Sequence, residues 1–496
     1  MTATKRNPLG VVALLSLLLA TAVALLNMAE PTGVMSAGSQ AKSPKAAEPD
    51  ARLKGAYRFE SGGWIYVHLE GSPAQIGFQH GALLAREIED AFKAIRLDST
   101  HRTKRDWKFF RETAHNILWP RIDAEYQEEL NGIVAGAKAK GAKLDIDDLV
   151  AVNAFEEVPD YYVPWLNRQQ KVAHAPKLVS PGNCSAFVAT GSYTKDGKIM
   201  IAHNNWTSYW AGERWRIIFD ILPARGHRML MDGFPGVITS DDDFGVNDAG
   251  IVVTETTITQ FEGFDPKGKP EFVRARKAMQ YATSIDEYVK IMLDGNNGGY
   301  ANDWLIADRK TGEIARFELG LKNHNLWRSK DGYFVGSNFP SDAKVLKEET
   351  KFDETNQASS PNARRARWEQ LMKQAKGKID VAWAEKAMSD HHDVILNKEV
   401  ADERTLCGHV DVTARGIPDW EWGANYPGGA VQGKVMDDAM AAAMTLRVHI
   451  GHPCGADFNA APFLKAHPEF AWQASILRDM KAGPWTTFTA GQKPVK

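Results

Sequence analysis

The sequence predicts an α+β protein: a mainly helical N-terminal stretch, then sheets packed face to face and covered by helices. Three observations carry this. Apolar residues recur every three or four positions through residues 72–156. From Cys184 onward the texture changes to short β-branched and aromatic runs bounded by Gly, Asp and Asn. Helical stretches are inserted among and after those runs, which is the order expected of helix-covered sheets.

Taken in order, Ala56 to Glu70 alternates loosely and reads as a strand. Ser72, Pro73 and Gln75 form a helix start, with Ser as cap, Pro at the first position and Gln three after the cap. That helix runs to about Arg96 with Leu84, Ile88, Phe92 and Ile95 on one face. Its His80 reads as a packed helical histidine. Further helices are expected near 105–118, 121–140 (ended by Gly141) and 145–156 (capped by Asp145). Pro164 to Asn183 has no periodicity and reads as an extended linker. Strands are expected at Trp215–Leu222, Arg228–Asp232, Gly250–Ile258, Trp304–Asp308, Glu313–Leu319 and Tyr333–Asn338. Helices are expected at about 271–282, 285–294, 364–374 and 381–389. Asp241, Asp242 and Asp243 read as a solvated acidic turn, since no calcium-loop pattern follows them.

The stretch that carries chemistry is Cys184 to Tyr209. A cysteine heads a short apolar strand, Asp196-Gly197 makes a turn, and a second strand ends in His203, Asn204, Asn205, Trp206 and Tyr209. A tight turn places Tyr209 opposite Cys184; a longer loop opening at Gly191 places Asn205 there. Either register sets imidazole, amide, indole and hydroxyl groups beside the thiol, as a nucleophile site requires.

The ordered motifs Cys184 to Phe187, Ala202 to Tyr209, Gly233 to Phe244, Val253 to Ile258 and Tyr300 to Trp304 together resemble the phospholipase B-like family. That family belongs to the N-terminal-nucleophile (Ntn) hydrolases. The resemblance implies a four-layer αββα Ntn-hydrolase sandwich. It also implies cleavage at Asn183–Cys184, so that Cys184 heads a new chain. The resulting organisation is a signal peptide or anchor at 1–28, a linker at 29–54, a helical lobe or pro-segment at 55–183 and the hydrolase domain at 184–496.

Such a nucleophile needs no separate base. An α-amine titrates at about 7.7–8.0 and a thiol at about 8.5, so the amine can take the thiol proton. The thiolate then forms a thioester that water hydrolyses. By the resemblance, Asn302 is the first oxyanion donor, with Thr257 second and Thr256 behind it. His203 and Trp206 stand where related acylases carry an arginine and an aspartate. Arg364 resembles an arginine that such acylases keep near the nucleophile, and a basic helix face accounts for it equally well. Asn205, Tyr209, Trp304 and Arg364 complete the expected substrate contacts, with an aromatic cleft built from Trp206, Tyr209, Trp210 and Trp304.

Composition bounds the rest. With 60 basic and 62 acidic side chains the net charge is −2, which leaves no electrostatic footprint for nucleic acid. Lys5 and Arg6 followed by an apolar run from Leu9 to Leu26 read as an export signal or a retained anchor. The expected location is periplasmic, extracellular or lumenal, with membrane-surface contact. Of three cysteines, Cys184 is taken as the reactive thiol, leaving Cys407 and Cys454 to form a disulfide. No Cys-x-x-Cys pair is present and adjacent His391 and His392 point apart on a regular element, so neither a metal nor a cofactor is expected. The leading function is an exported, self-processing acyl ester or amide hydrolase acting on a lipid or small-molecule substrate, its two chains staying associated. The rivals are an N-acyl amide hydrolase or acyltransferase, and a lipid-binding protein without turnover.

Overall fold

A computed structural model of the chain describes residues 50–172, 182–240 and 244–494. The expected leader, nearly all of the 29–54 linker and the run Asp241–Asp243 lie outside the described residues. Among the described residues, no helix is long and apolar enough to cross a membrane.

Strands β1 (Tyr57–Ser61) and β2 (Trp64–Gly71) lead into helices α1 (Pro73–Leu83), α2 (Ala85–Thr103), α3 (Trp107–Thr113), α4 (Ala124–Ala139), α5 (Ile146–Asn153) and α6 (Val163–Gln169). The hairpin of β3 (Gly182–Thr190) and β4 (Met200–Ser208) follows, then a short α7 (Tyr209–Gly212). Strands β5 (Ile217–Pro223), β6 (Met229–Gly233), β7 (Phe244–Asn247) and β8 (Ile251–Thr257) precede α8 (Glu271–Tyr281) and α9 (Ile285–Leu293). Next come β9 (Asn302–Asp308), β10 (Glu313–Leu319), β11 (His324–Ser329) and β12 (Gly332–Gly336). Helices α10 (Ala343–Glu349), α11 (Ser360–Ala375) and α12 (Val381–Met388) lead to a small ribbon, β13 (His392–Asp393) and β14 (Lys398–Glu399). The last strands are β15 (Gly428–Asp437), β16 (Thr445–Ile450) and β17 (Thr486–Thr489).

The strands form two main sheets. The larger has the order β1-β2-β5-β6-β7-β8-β9-β10-β11, the smaller β12-β3-β4-β15-β16-β17. Alternation decides which face each side chain meets. Tyr66, Ile218, Leu230, Val252 and Leu305 of the larger sheet pack on Ala186, Val188, Ile201 and Val448 of the smaller. Their neighbours Val67, Phe219, Met231 and Val253 point the other way, onto Ile76 of α1, Leu130 of α4, Leu149 of α5 and Val273 of α8. On the far side, Phe187 and Ala202 meet Trp368 and Met372 of α11 and Met388 of α12. The layers are therefore helix, sheet, sheet, helix, as expected.

Several local expectations need correction. Residues 56–70 make two strands, because Gly62 and Gly63 both take positive φ and turn the chain back on itself. The Ser72 capping box is present as read, but the helix breaks at Leu84 into α1 and α2. Residues 164–169 belong to helix α6, where an extended linker was expected from Pro164 onward. The segment 55–183 is no separate lobe: β2 pairs with β5 in parallel, so the N-terminal segment builds part of the larger sheet. Helices α1 and α4 approach so closely that a Cβ on Gly81 would lie 2.0 Å from the Ile133 carbonyl oxygen. His80 is fully buried and its Nε2 accepts the Gly236 N–H at 3.0 Å, which is the structural role expected of it.

Candidate active site

Cys184 sits near the start of β3, a central strand of the smaller sheet. It pairs with Asn205, and Ala186 pairs with His203, so the chain uses the longer loop that opens at Gly191. Directly paired residues share a face. Cys184, His203 and Asn205 therefore belong to the face turned toward the larger sheet, with Ala186 and Ile201. Ser185, Phe187, Asn204 and Trp206 belong to the opposite face, toward α11 and α12.

Both backbone atoms of Cys184 are held by side chains. Its N–H donates to Asn338 Oδ1 at 3.1 Å, and its carbonyl oxygen accepts from Arg364 Nη1 at 2.7 Å. The same guanidinium donates to Ser185 Oγ (2.9 Å), to Asn338 Oδ1 (2.9 Å) and to the Ser337 carbonyl (3.3 Å). Its plane rests 4.4 Å from the Trp206 ring. Among the described residues no carboxylate accepts a hydrogen bond from Arg364. Burial pulls its pKa down to about 9, opposed by Cys184 and Asp419, so it stays charged near neutrality. Asn338 follows β12 with φ of +72°, a left-handed conformation that Asn tolerates better than most residues, and its Nδ2 donates to the Thr257 carbonyl at 2.9 Å.

The thiol is buried, and Sγ lies 3.6 Å from Glu255 Oε1. Tyr300 donates its hydroxyl to the same oxygen at 3.2 Å and accepts from Thr257 Oγ1 at 3.3 Å. Tyr300 also has positive φ, +51°, following the Gly298-Gly299 pair, and such strain collects at functional sites. The thiol, the His203 imidazole and the Glu255 carboxylate come within 4.8 Å of one another.

His203 is fully buried. Burial first, and then the Lys434 ammonium, push its pKa far below the ordinary histidine value, so the ring is neutral. Lys434 Nζ is 3.5 Å from His203 Nδ1 and is itself paired with Asp232 at 2.6 Å. An ammonium can only donate, so Nδ1 is the acceptor and the proton is assigned to Nε2. Nε2 has no hydrogen-bond partner among the described residues. The ring is thus a donor at Nε2, and its basic nitrogen, Nδ1, is taken up by Lys434.

Asn302 pairs across the strands with Thr257, is completely buried, and neither atom of its amide has a partner among the described residues. A buried unpaired amide costs stability unless it serves a ligand or a reaction. Thr256 Oγ1 is also unpartnered among the described residues.

Other expected residues lie elsewhere. Trp206 faces away from the thiol; its indole donates to the Leu406 carbonyl at 3.2 Å and its ring supports Arg364. Tyr209 donates to Asp411 at 2.6 Å and packs on Phe458. Trp304 packs against Phe317 on the helix-facing side of the larger sheet. With Trp210, these aromatics divide among three separate core clusters, so they build no common cleft. Asn183 pairs its backbone with Trp206, and its side chain lies outside the described residues. Cys407 and Cys454 are free thiols, not a disulfide. Glu255 and Asn338 escaped the sequence reading, although Glu255 lies inside the Val253–Ile258 motif and Asn338 ends the strand expected at 333–338.

A family model described as phospholipase B matches residues 97–335, which include Cys184, Glu255 and Asn302. Residues 97–335 match the phospholipase B family. The resemblance read from the motifs is thereby borne out. The chain is similar to phospholipase B-like protein F of Dictyostelium discoideum (29% identical, 34% of this chain and 31% of that protein). It is similar to putative phospholipase B-like 2 of Bos taurus (30% identical, 28% and 26%) and to an uncharacterized protein of Archaeoglobus fulgidus (26% identical, 54% and 45%). The matched stretches span less than half the length of these relatives. Among solved structures, a mutant of conjugated bile acid hydrolase from Clostridium perfringens aligns at TM-score 0.32 and 12% identity, covering 53% of this chain and 88% of that one. Penicillin V acylase from Agrobacterium tumefaciens aligns at TM-score 0.31 and 12% identity, covering 54% and 83%.

Proposed function

We propose that this phospholipase B-like chain is a self-processing cysteine hydrolase of acyl ester or amide bonds, with Cys184 as nucleophile. The observation that supports it most is the grip on Cys184: Asn338 on its nitrogen, Arg364 on its carbonyl, and a carboxylate 3.6 Å from its sulfur.

In the first stage Glu255 takes the thiol proton and the thiolate attacks the Asn183 carbonyl carbon. The C–N bond breaks as the nitrogen takes up a proton, leaving a thioester that water hydrolyses. Asn338 Oδ1 already accepts from that nitrogen and goes on accepting from the free α-amine. In the second stage the amine takes the thiol proton and the thiolate attacks a substrate carbonyl. The His203 ring, which lies beside the thiol, is one donor to the developing oxyanion, and the family resemblance makes the Asn302 amide the other. Because β2 hydrogen-bonds to β1 and β5, the N-terminal piece stays in the sheet after cleavage.

The relatives' names favour a glycerophospholipid ester as substrate; an N-acyl amide needs the same chemistry. The test is to offer pooled phospholipids, N-acyl amides and muropeptides to the purified protein and to Cys184→Ala, and to follow acyl release by mass spectrometry. Consumption of one acyl pool by the wild type alone is expected. Stoichiometric lipid binding without turnover would mark a non-catalytic protein and defeat the proposal.

A further inference from the structure

We propose that His391, Cys407, His409 and Cys454 form a structural zinc site. The two thiols are free, and one ligand atom from each of the four residues lies within 4.8 Å of every other. His409 Nε2 is 3.2 Å from His391 Nε2, 3.6 Å from Cys407 Sγ and 3.5 Å from Cys454 Sγ. One ring nitrogen has a single proton or a single lone pair, so it can make one hydrogen bond, not three. An ion at the centre of the four atoms accounts for all three approaches. With ordinary zinc–sulfur and zinc–nitrogen bonds, tetrahedral geometry separates two nitrogens by about 3.3 Å, sulfur from nitrogen by about 3.6 Å and two sulfurs by about 3.8 Å. The observed distances fit that set.

The chemistry of the donors selects the ion. Two thiolates and two imidazoles suit zinc, whereas calcium and magnesium take oxygen ligands. Four protein ligands leave no open position, which marks a structural centre and not a catalytic one. Binding exchanges two thiol protons for the metal and releases them to solvent. Cys407 and His409 are buried, while His391 and Cys454 are only partly buried and give the ion its way in. His392 turns away to Glu399, so only one of the adjacent histidines takes part.

The centre would bind together three segments that back the candidate active site. Between Cys407 and His409, Gly408 lies so close to the Trp206 ring that an added Cβ would meet it at 1.8 Å. Leu406 receives hydrogen bonds from Asn204 (2.9 Å) and Trp206 (3.2 Å) through its carbonyl. Trp206 in turn supports Arg364, so metal at this point would fix the platform beneath the guanidinium.

The experiment is metal analysis of the full chain purified under reducing conditions without chelator, followed by cobalt exchange. One zinc per chain is expected, together with the visible bands and thiolate-to-cobalt charge transfer of a tetrahedral sulfur-ligated cobalt site. His391→Ala and Cys454→Ser, both at the partly buried rim, should each lower the zinc content about tenfold or more. Three results would overturn the proposal: no zinc or cobalt taken up by the wild type, full zinc retained in both variants, or a Cys407–Cys454 disulfide peptide from unreduced protein. A disulfide holds its sulfurs about 2.05 Å apart and excludes the ion.

Discussion

Arg364 Nη1 lies 2.7 Å from the carbonyl oxygen of Cys184. The guanidinium is fully buried, sits over an indole and donates to no carboxylate of the described residues, so its fork is aimed at backbone, amide and hydroxyl oxygens. Lysine keeps the charge but cannot reproduce the fork. Arg364→Lys should slow processing about tenfold or more, since the lost donors to Cys184 and Asn338 are worth about 1–3 kcal/mol. Time-resolved gels of newly made protein check this; an unchanged rate would remove Arg364 from the account.

Asn302 offers a sharper separation of activity from stability. Neither atom of its amide is paired among the described residues, so folding gains nothing from them. Asn302→Leu should leave the thermal midpoint equal or higher. Acyl turnover should fall about 10²–10³-fold through the missing oxyanion donor. A variant that unfolds earlier and turns over normally would reverse both assignments.

The α1–α4 contact predicts a purely structural lesion. A Cβ on Gly81 would strike the Ile133 carbonyl at 2.0 Å and the Ala137 nitrogen at 2.7 Å, both backbone atoms that no rotamer change can move. Gly81→Ala should cost about 1–3 kcal/mol or more of unfolding free energy, read from urea titration.

His80 sets a pH dependence. Burial holds its pKa near about 3, with Arg276 adding in the same direction. In the unfolded chain it titrates at about 6.5, so between those values the unfolded state binds one proton that the native state refuses. Its contribution is complete above about pH 6.5 and is lost as the pH falls toward 3. From pH 7 to pH 5 the loss is about 2 kcal/mol, which His80→Gln should abolish. The check is the difference between the two proteins' urea unfolding free energies at the two pH values; parallel losses would contradict it.

Much of the site was legible in the sequence because it is local. The hairpin fixes Cys184, Asn205 and His203 through a two-residue alternation, and Gly191 chose between the two registers. The larger frame was legible where strands are β-branched, as in Ile251–Thr257. It was not legible in β15, whose Gly428, Gly429, Gln432, Gly433 and Lys434 break any apolar alternation; Lys434 is inside because Asp232 and His203 receive it. Tyr209 and Trp304 were misplaced because an aromatic ring buries in a core as readily as it lines a cleft. Asn338 and Arg364 meet Cys184 across 154 and 180 residues, a closure that no spacing rule anticipates. His391, Cys407, His409 and Cys454 come from three segments and form no Cys-x-x-Cys pair, so no short spacing marks them.

The most direct test of the central claim is N-terminal sequencing and intact mass of the purified protein. The account predicts two chains, the second beginning at Cys184, with Cys184→Ala remaining whole. A wild-type preparation of one unbroken chain, inert to acyl probes at Cys184, would contradict it.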